Sequence, residues 1–254
     1  MNPAVAVRGL SIGRDGVTFV EDITFDVARG EIFAILGGSG SGKSTLLRFL
    51  VGLEVPEKGE IDIDGSGAPD LDRGLPPFGV MFQQGALFGS MTVLDNVALP
   101  LEQWTTLEPT AIDVIARYKL RLVELQEAAN KLPAELSGGM VKRAAIARAL
   151  ALDPSLVFLD EPSAGLDPTT AAELDELILT LTRTTGITIV MVTHELESVF
   201  RVADRCLLLD RQSKSVLAVG DPRKLQNSDD PRIRGFFHPG SKGRRASWQL
   251  APTT

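Results

Sequence analysis

Cysteine is nearly missing from this 254-residue chain: Cys206 is the single one, so an intrachain disulfide framework is excluded. It lies in the apolar run Cys206-Leu207-Leu208-Leu209, where a buried thiol is expected. No apolar run approaches the roughly 20 residues that a membrane-spanning helix needs. The opening Met1-Asn2-Pro3-Ala4-Val5 lacks the basic-then-apolar order of a signal peptide, so the chain is expected to stay in the cytosol. Basic residues are outnumbered, 26 Lys and Arg against 33 Asp and Glu, and the net charge of -7 argues against nucleic acid as a partner. No internal repeat is visible. What remains is ordinary globular composition, 44% hydrophobic and 23% charged, enough for one core with a sub-domain grown out of it.

Four short, nearly all-apolar runs read as strands covered on both faces: residues 32–36, 79–82, 156–159 and 187–192. Helical patterns follow at 44–53, 140–152, 171–184 and 196–203, and this alternation predicts an α/β core with a largely parallel sheet. The opening differs: 5–10, 17–19 and 23–27 alternate apolar with polar residues, as a half-exposed antiparallel sheet does. Residues 66–79 are too rich in Gly and Pro for regular structure and read as a surface loop. Between 94 and 136 strand signals vanish and helical ones take over, for example at 111–118 and 121–130, which predicts an inserted helical sub-domain. After Gly235 the chain turns Gly-rich and basic, as a terminus does.

Gly37-Gly38-Ser39-Gly40-Ser41-Gly42-Lys43-Ser44-Thr45 follows a strand and opens a helix, the context that the G-x-x-x-x-G-K-S pattern requires. Glycines let successive backbone N–H groups curl round a phosphate, the helix N-terminus adds positive potential, and Lys43 adds a point charge. Ser44 is placed to ligate Mg2+. Asp160-Glu161 ends the strand at 156–159, on the sheet edge where open α/β sheets bind ligands. There Asp160 can hold Mg2+ through its water shell and Glu161 can orient an attacking water. The strand at 187–192 brings His194 to the same edge. Two glycines open another helix in Leu136-Ser137-Gly138-Gly139-Met140, so some group is expected to come close to the backbone there.

The P-loop, Gln83 after Val80-Met81-Phe82, Leu136-Ser137-Gly138-Gly139, Asp160-Glu161-Pro162, Ala164-Gly165-Leu166-Asp167 and His194 stand in the order of ATP-binding cassette (ABC) ATPases, which the chain resembles over nearly all of residues 5–225. The resemblance implies the ABC-type nucleotide-binding fold, with ATP and Mg2+ bound at the P-loop, and an ATPase domain at 1–230 that holds a helical sub-domain at about 85–139. It makes Gln83 the residue that senses Mg2+ and couples the site to a membrane partner, Glu161 the catalytic base and His194 the γ-phosphate contact. Asp167 becomes a contact across a dimer, and Ser137, Gly138 and Gly139 bind the γ-phosphate on the opposite subunit. A homodimer is therefore expected. The family's adenine-stacking aromatic has no clear counterpart: Arg14 stands near its place, Phe19 is a further candidate, and the contact is unassigned.

Most such ATPases carry Gln after the two glycines, where this chain has Met140. Phe82-Gln83-Gln84-Gly85-Ala86-Leu87-Phe88, Met91-Thr92-Val93-Leu94-Asp95-Asn96-Val97-Ala98-Leu99-Pro100-Leu101 and Leu136 to Met140 together resemble the ATPases of Mla-type phospholipid transporters, and Asp230-Pro231-Arg232-Ile233-Arg234-Gly235-Phe236 resembles the end of the cassette in that group. This likeness implies membrane permease subunits, an MCE-type lipid-binding protein and a small accessory subunit as partners, on the cytoplasmic side of a bacterial inner membrane. Leu87, Phe88 and Met91 would then line a groove for a short permease helix. The extension at 231–254 would clamp a neighbouring subunit or touch anionic lipid. The rival readings are a cassette for another substrate and, disfavoured by acidity and by the lack of a second cassette or long coiled coil, a cassette acting on nucleic acid or ribosomes.

Overall fold

The structure is a computed structural model that describes residues 2–14, 17–70, 74–75 and 77–238, without the side chains of residues 14 and 17–19. The Arg14 and Phe19 side chains, part of the expected loop (71–73 and 76) and the tail at 239–254 thus lie outside the described residues.

The four expected inner strands are β3 (Ile32–Gly37), β5 (Phe78–Met81), β6 (Leu156–Asp160) and β7 (Thr188–Val192). With β8 (Arg205–Asp210) and β9 (Ser215–Gly220) they form a six-stranded sheet of order β5-β6-β7-β3-β8-β9. Every neighbouring pair is parallel except β8 with β9. The all-apolar runs are explained by the strand period of two between two cores. Ile32, Ala34 and Leu36, with Val157, Leu159, Ile189, Met191, Cys206 and Leu208, face one core. Phe33 and Ile35, with Leu156, Phe158, Val190, Val192, Leu207 and Leu209, face the other. Burial pushes the Cys206 thiol up to about 12, which keeps it protonated and unreactive.

The second core is closed by a three-stranded antiparallel sheet of order β2-β1-β4, built from β1 (Val5–Arg14), β2 (Val17–Val27) and β4 (Lys58–Ile63), and by helix α1 (Lys43–Leu50). The first core is covered by α2 (Val93–Trp104), α3 (Pro109–Leu122), α4 (Gly138–Ala149), α5 (Pro168–Thr185) and α6 (Leu196–Val202). Two short helices, α7 (Pro222–Leu225) and α8 (Pro231–Phe237), finish the described chain. Ile233 and Phe237 of α8 belong to the first core, and the Phe237 ring lies 5.7 Å from that of Phe200 on α6.

One expected helix does not form. The pattern at 121–130 is split, because α3 ends at Leu122 and Glu124 turns left-handed at φ 59°. Leu125 N–H then donates back to Leu120 O at 2.8 Å and Glu124 N–H to Arg121 O at 3.1 Å, the two bonds of a Schellman stop. A single 3-10 turn, Gln126–Ala128, follows and buries Leu125, Ala128 and Ala129.

Candidate functional site

The loop between β3 and α1 owes its shape to glycine at two points. A Cβ on Gly37 (φ 157°) would lie 2.3 Å from Ser41 Oγ and 2.8 Å from Leu209 O, and one on Gly42 (φ 93°) would press on Val20 at 3.1 Å. Leu46 N–H donates to Gly42 O at 2.8 Å, so the helix starts at once and its free N–H groups face the loop. Lys43 Nζ donates to Gly37 O at 2.9 Å and to Gly38 O at 3.3 Å, which holds the ammonium across the mouth of the loop. Burial lowers its pKa against the opposing pull of Glu161 and Asp160.

Gly37, Gly38, Ser39, Gly40, Lys43 and Ser44 share a cavity of about 720 Å³ with Glu161 and His194. The parallel register of β3, β6 and β7 does this, since all three strands deliver their carboxyl ends to one edge. His194 Nδ1 lies 2.8 Å from Glu161 Oε1, while Glu161 Oε2 and Asp160 Oδ1 are buried without a hydrogen-bond partner among the described residues. Burial, then the charge of Glu161, raises the pKa of Asp160 against the pull of Lys142 and Lys43. Glu161 sits at φ 47°, left-handed and not glycine, a conformation costing about 1–2 kcal/mol. Its N–H donates to Val192 O at 2.8 Å, which ties the ends of β6 and β7 together.

The other expected residues do not line this cavity. Gln83 is exposed, and its carbonyl accepts from Lys142 Nζ. Ser41 lies in the loop with a buried hydroxyl that has no hydrogen-bond partner among the described residues, and Thr45 stands in the first turn of α1. Ser137 caps α4 through Met140 N–H at 3.3 Å. A Cβ on Gly139 would fall 2.5 Å from Thr170 Cγ2, so the glycine lets α4 meet α5 of the same chain. The Met140 side chain packs against the first core. Asp167 caps α5, its Oδ1 accepting from Thr169 and Thr170 N–H at 3.1 Å each, and the Thr170 hydroxyl first among these contacts lowers its pKa.

Sequence reasoning passed over three features. Gly235 and Phe236 of α8 line the same cavity as the P-loop. Lys142 is 7% exposed, and its signal was available: it falls in phase with buried Ala145, Ile146 and Ala149 on α4, where a charge demands an explanation. The apolar groove is also elsewhere than expected. It has a volume of about 640 Å³ and is lined by Leu53, Leu75, Phe82, Pro100, Trp104 and Arg148, among others, and not by Leu87, Phe88 or Met91. Buried Asn96 explains the shift: its side chain accepts from Phe88 N–H at 2.7 Å and donates to Met91 O at 3.2 Å, which folds that segment onto α2.

A glycine-shaped phosphate loop, a lysine across it and a carboxylate–histidine pair at the carboxyl ends of a parallel sheet define a P-loop ATPase. Comparison with known proteins narrows the class. Residues 20–164 match the model of the family described as ABC transporter. The chain is 41% identical, over 92% of its length and 88% of the relative's, to the intermembrane phospholipid transport system ATP-binding protein MlaF of Escherichia coli. It is 42% identical, over 96% of its length and 70% of the relative's, to the probable ribonucleotide transport ATP-binding protein mkl of Mycobacterium leprae. Among solved structures, a dimeric ATP-binding cassette in a post-hydrolysis state bound to ADP and Pi superposes with a TM-score of 0.74 at 30% identity, covering 85% of this chain and 98% of that one. The protein cbiO1 of Clostridium perfringens, part of the ABC transporter complex cbiONQ, gives 0.78 at 28% identity over 94% and 100%. The chain belongs to the ABC transporter family, as an ATP-binding, ATP-hydrolysing subunit. Among the described residues no helix is long and apolar enough to cross a membrane.

Proposed function

We propose that this chain energises a phospholipid transporter as a homodimer bound to permease subunits on the cytoplasmic side of a bacterial inner membrane, in a complex with an MCE-type lipid-binding protein and a small accessory subunit. The observation that carries a permease partner is the groove. An apolar trough with Trp104 44%, Leu75 50% and Phe82 37% exposed is an expensive surface to leave in water. Its shape suits an amphipathic helix laid in a groove. Phe82 lines it and is the residue before Gln83, so an occupant would press directly on the segment leading to the phosphate cavity. Phospholipid as cargo rests on the likeness to MlaF.

The donor set at the cavity suits Mg2+. Buried Asp160 Oδ1, without a hydrogen-bond partner among the described residues, and the Ser44 hydroxyl offer hard oxygens, and Gln83, which does not line the cavity here, would have to reach in to add its side-chain oxygen. Mg2+ held there would neutralise phosphate charge. The chain's own residues do the rest. The P-loop N–H groups and Lys43 hold the phosphates, and Glu161, with Oε1 fixed by His194 and Oε2 free, takes the proton of the attacking water. Ser137, Gly138 and Gly139 of a second copy complete the site, Asp167 lies at the same junction, and separation of the copies after hydrolysis supplies the stroke.

The complex isolated from membranes in mild detergent is expected to retain permease and phospholipid, with hydrolysis stimulated by phospholipid. A second reading, transport of ribonucleotides, is favoured by the mycobacterial relatives. Stimulation by ribonucleotides other than ATP, with indifference to lipid, would establish that reading and overturn the first.

A further inference from the structure

Helix α4 runs from the exposed Ser137 end into the interior, and two of its cations hold backbone carbonyls of other segments. Lys142 Nζ donates to Gln83 O, and to Glu161 O at 3.1 Å. Two turns further on, Arg148 donates to Gly85 O at 2.8 Å and to Ala86 O at 2.7 Å. Three of the four carbonyls from Gln83 to Ala86 are thus pinned to one helix. The conformations on the receiving side matter. Ala86 at φ 50° and Glu161 at φ 47° are both left-handed without being glycine, and such residues persist only when their surroundings hold them. Lys142 is also expensive in itself: an apolar residue in the stripe of Ala145, Ile146 and Ala149 would avoid burying an ammonium. Core packing therefore does not account for it, whereas its two acceptors, one beside the groove and one on the peptide of Glu161, do.

We propose that Lys142 is a positioning residue that fixes the Glu161 peptide and the Gln83 peptide to the Ser137 helix, so that a displacement of α4 reorients the Glu161 carboxylate. Glu161 O accepts from Lys142 while Glu161 N–H donates to Val192 O at 2.8 Å, so the peptides on either side of the carboxylate have separate anchors. Releasing the first lets the residue relax from its left-handed conformation and swings Oε1 away from His194. Among the described residues Lys142 makes its hydrogen bonds to Gln83 O and Glu161 O and none to the phosphate loop, whose own bonds run through Lys43, so nucleotide affinity and turnover should separate. This inference rests on the reading of Glu161 as the base.

Kinetics of the full chain test it. Lys142→Met, matched in length but without donors, is expected to lower kcat about tenfold or more with ATP affinity within about twofold of the native chain. Lys142→Arg, which can reach both carbonyls, is expected to restore kcat to within about threefold. Lys142→Gln keeps an N–H donor group on a side chain one atom shorter and is expected to fall between them; it carries the test if the Met variant does not fold. Native kcat in either the Met or the Gln variant, or kcat and affinity falling together, overturns the proposal. Glu161→Gln assayed in parallel separates the two ideas: turnover in that variant would remove the base itself, whereas a dead Glu161→Gln beside a fully active Lys142→Gln removes only the role of Lys142.

Discussion

Gly139→Ala would put a methyl carbon 2.5 Å from Thr170 Cγ2, where no neighbour other than Thr170 comes within 4 Å. Carbon pairs settle at about 3.5–4.0 Å, so α4 and α5 have to part by about 1 Å or Thr170 has to change rotamer. The second course breaks the bond from Thr170 Oγ1 to Asp167 Oδ2 at 2.6 Å. Overpacking of this kind costs about 1–3 kcal/mol. Alanine in a helix returns up to about 1 kcal/mol relative to glycine, so the single variant should lose about 0–2 kcal/mol. Thr170→Ser deletes the offending methyl and keeps the hydroxyl on Asp167. In that background the alanine methyl next meets the Cβ of residue 170, at 4.0 Å, an ordinary contact. The clash then vanishes while the helix gain remains, so a double-mutant cycle should give a coupling of about 1–3 kcal/mol in favour of the pair. Urea unfolding of the nucleotide-free chain measures it, and coupling below about 0.5 kcal/mol would refute intrachain packing as the reason for glycine here. The ATPase rate of the pair then asks a separate question. Restored stability with depressed turnover would mean that Gly139 also leaves room for a phosphate on a second copy.

Glu161→Gln should cut turnover at least about 100-fold while ATP still binds, because the amide accepts no proton from water; with ATP and Mg2+ the variant should elute as a dimer, and monomers in sizing experiments would count against the proposed assembly. Chelation of Mg2+ should stop hydrolysis without releasing the chain's hold on nucleotide through Lys43, a loss visible in the phosphate-release assay and absent from nucleotide binding. Met140→Gln exchanges a thioether packed on the first core for an amide. An unchanged rate with a slightly lower unfolding midpoint is expected, which would make Met140 a packing residue and a marker of lineage; a faster rate would instead assign the missing amide a role in hydrolysis.

The inner strands were legible because burial on both faces leaves no room for a polar residue, and β3, β6 and β7 differ from their expected bounds by a residue or so. Strand β4 was not legible, since Lys58-Gly59-Glu60 are exposed and only Ile61 and Ile63 face inward. Strand β9 is half-buried except at exposed Val219, which erases the usual alternation. The stop of α3 escaped notice because Glu124 occupies the left-handed position where glycine usually announces a helix end. At the site, motif order was enough to gather the P-loop, Glu161 and His194 at one edge. The bonds of Lys142 and Arg148 were hidden for a different reason. They end on backbone carbonyls, which every residue has, so no side-chain pattern in the sequence records them.

The opening of α4 carries the case for a second copy furthest. Ser137 Oγ accepts from Met140 N–H, which occupies a lone pair and leaves its proton to donate elsewhere. Gly138 and Gly139 stand in the first turn, where N–H groups have no partner within the helix. Three donors therefore converge at the positive end of a 12-residue helix, an arrangement suited to an anion. On the proposed mechanism the anion is a phosphate of the nucleotide at the P-loop cavity, yet none of residues 137–140 lines that cavity. Within one chain these donors and the P-loop cavity are apart. A second copy, turned so that each Ser137 end meets the other's P-loop, satisfies both at once, and the dimeric cassette with ADP and Pi among the structural relatives shows that this fold does pair. In the proposed dimer Gly139 would have two reasons to lack a side chain: Thr170 on one side within the chain, and on the other the phosphate that pairing would bring.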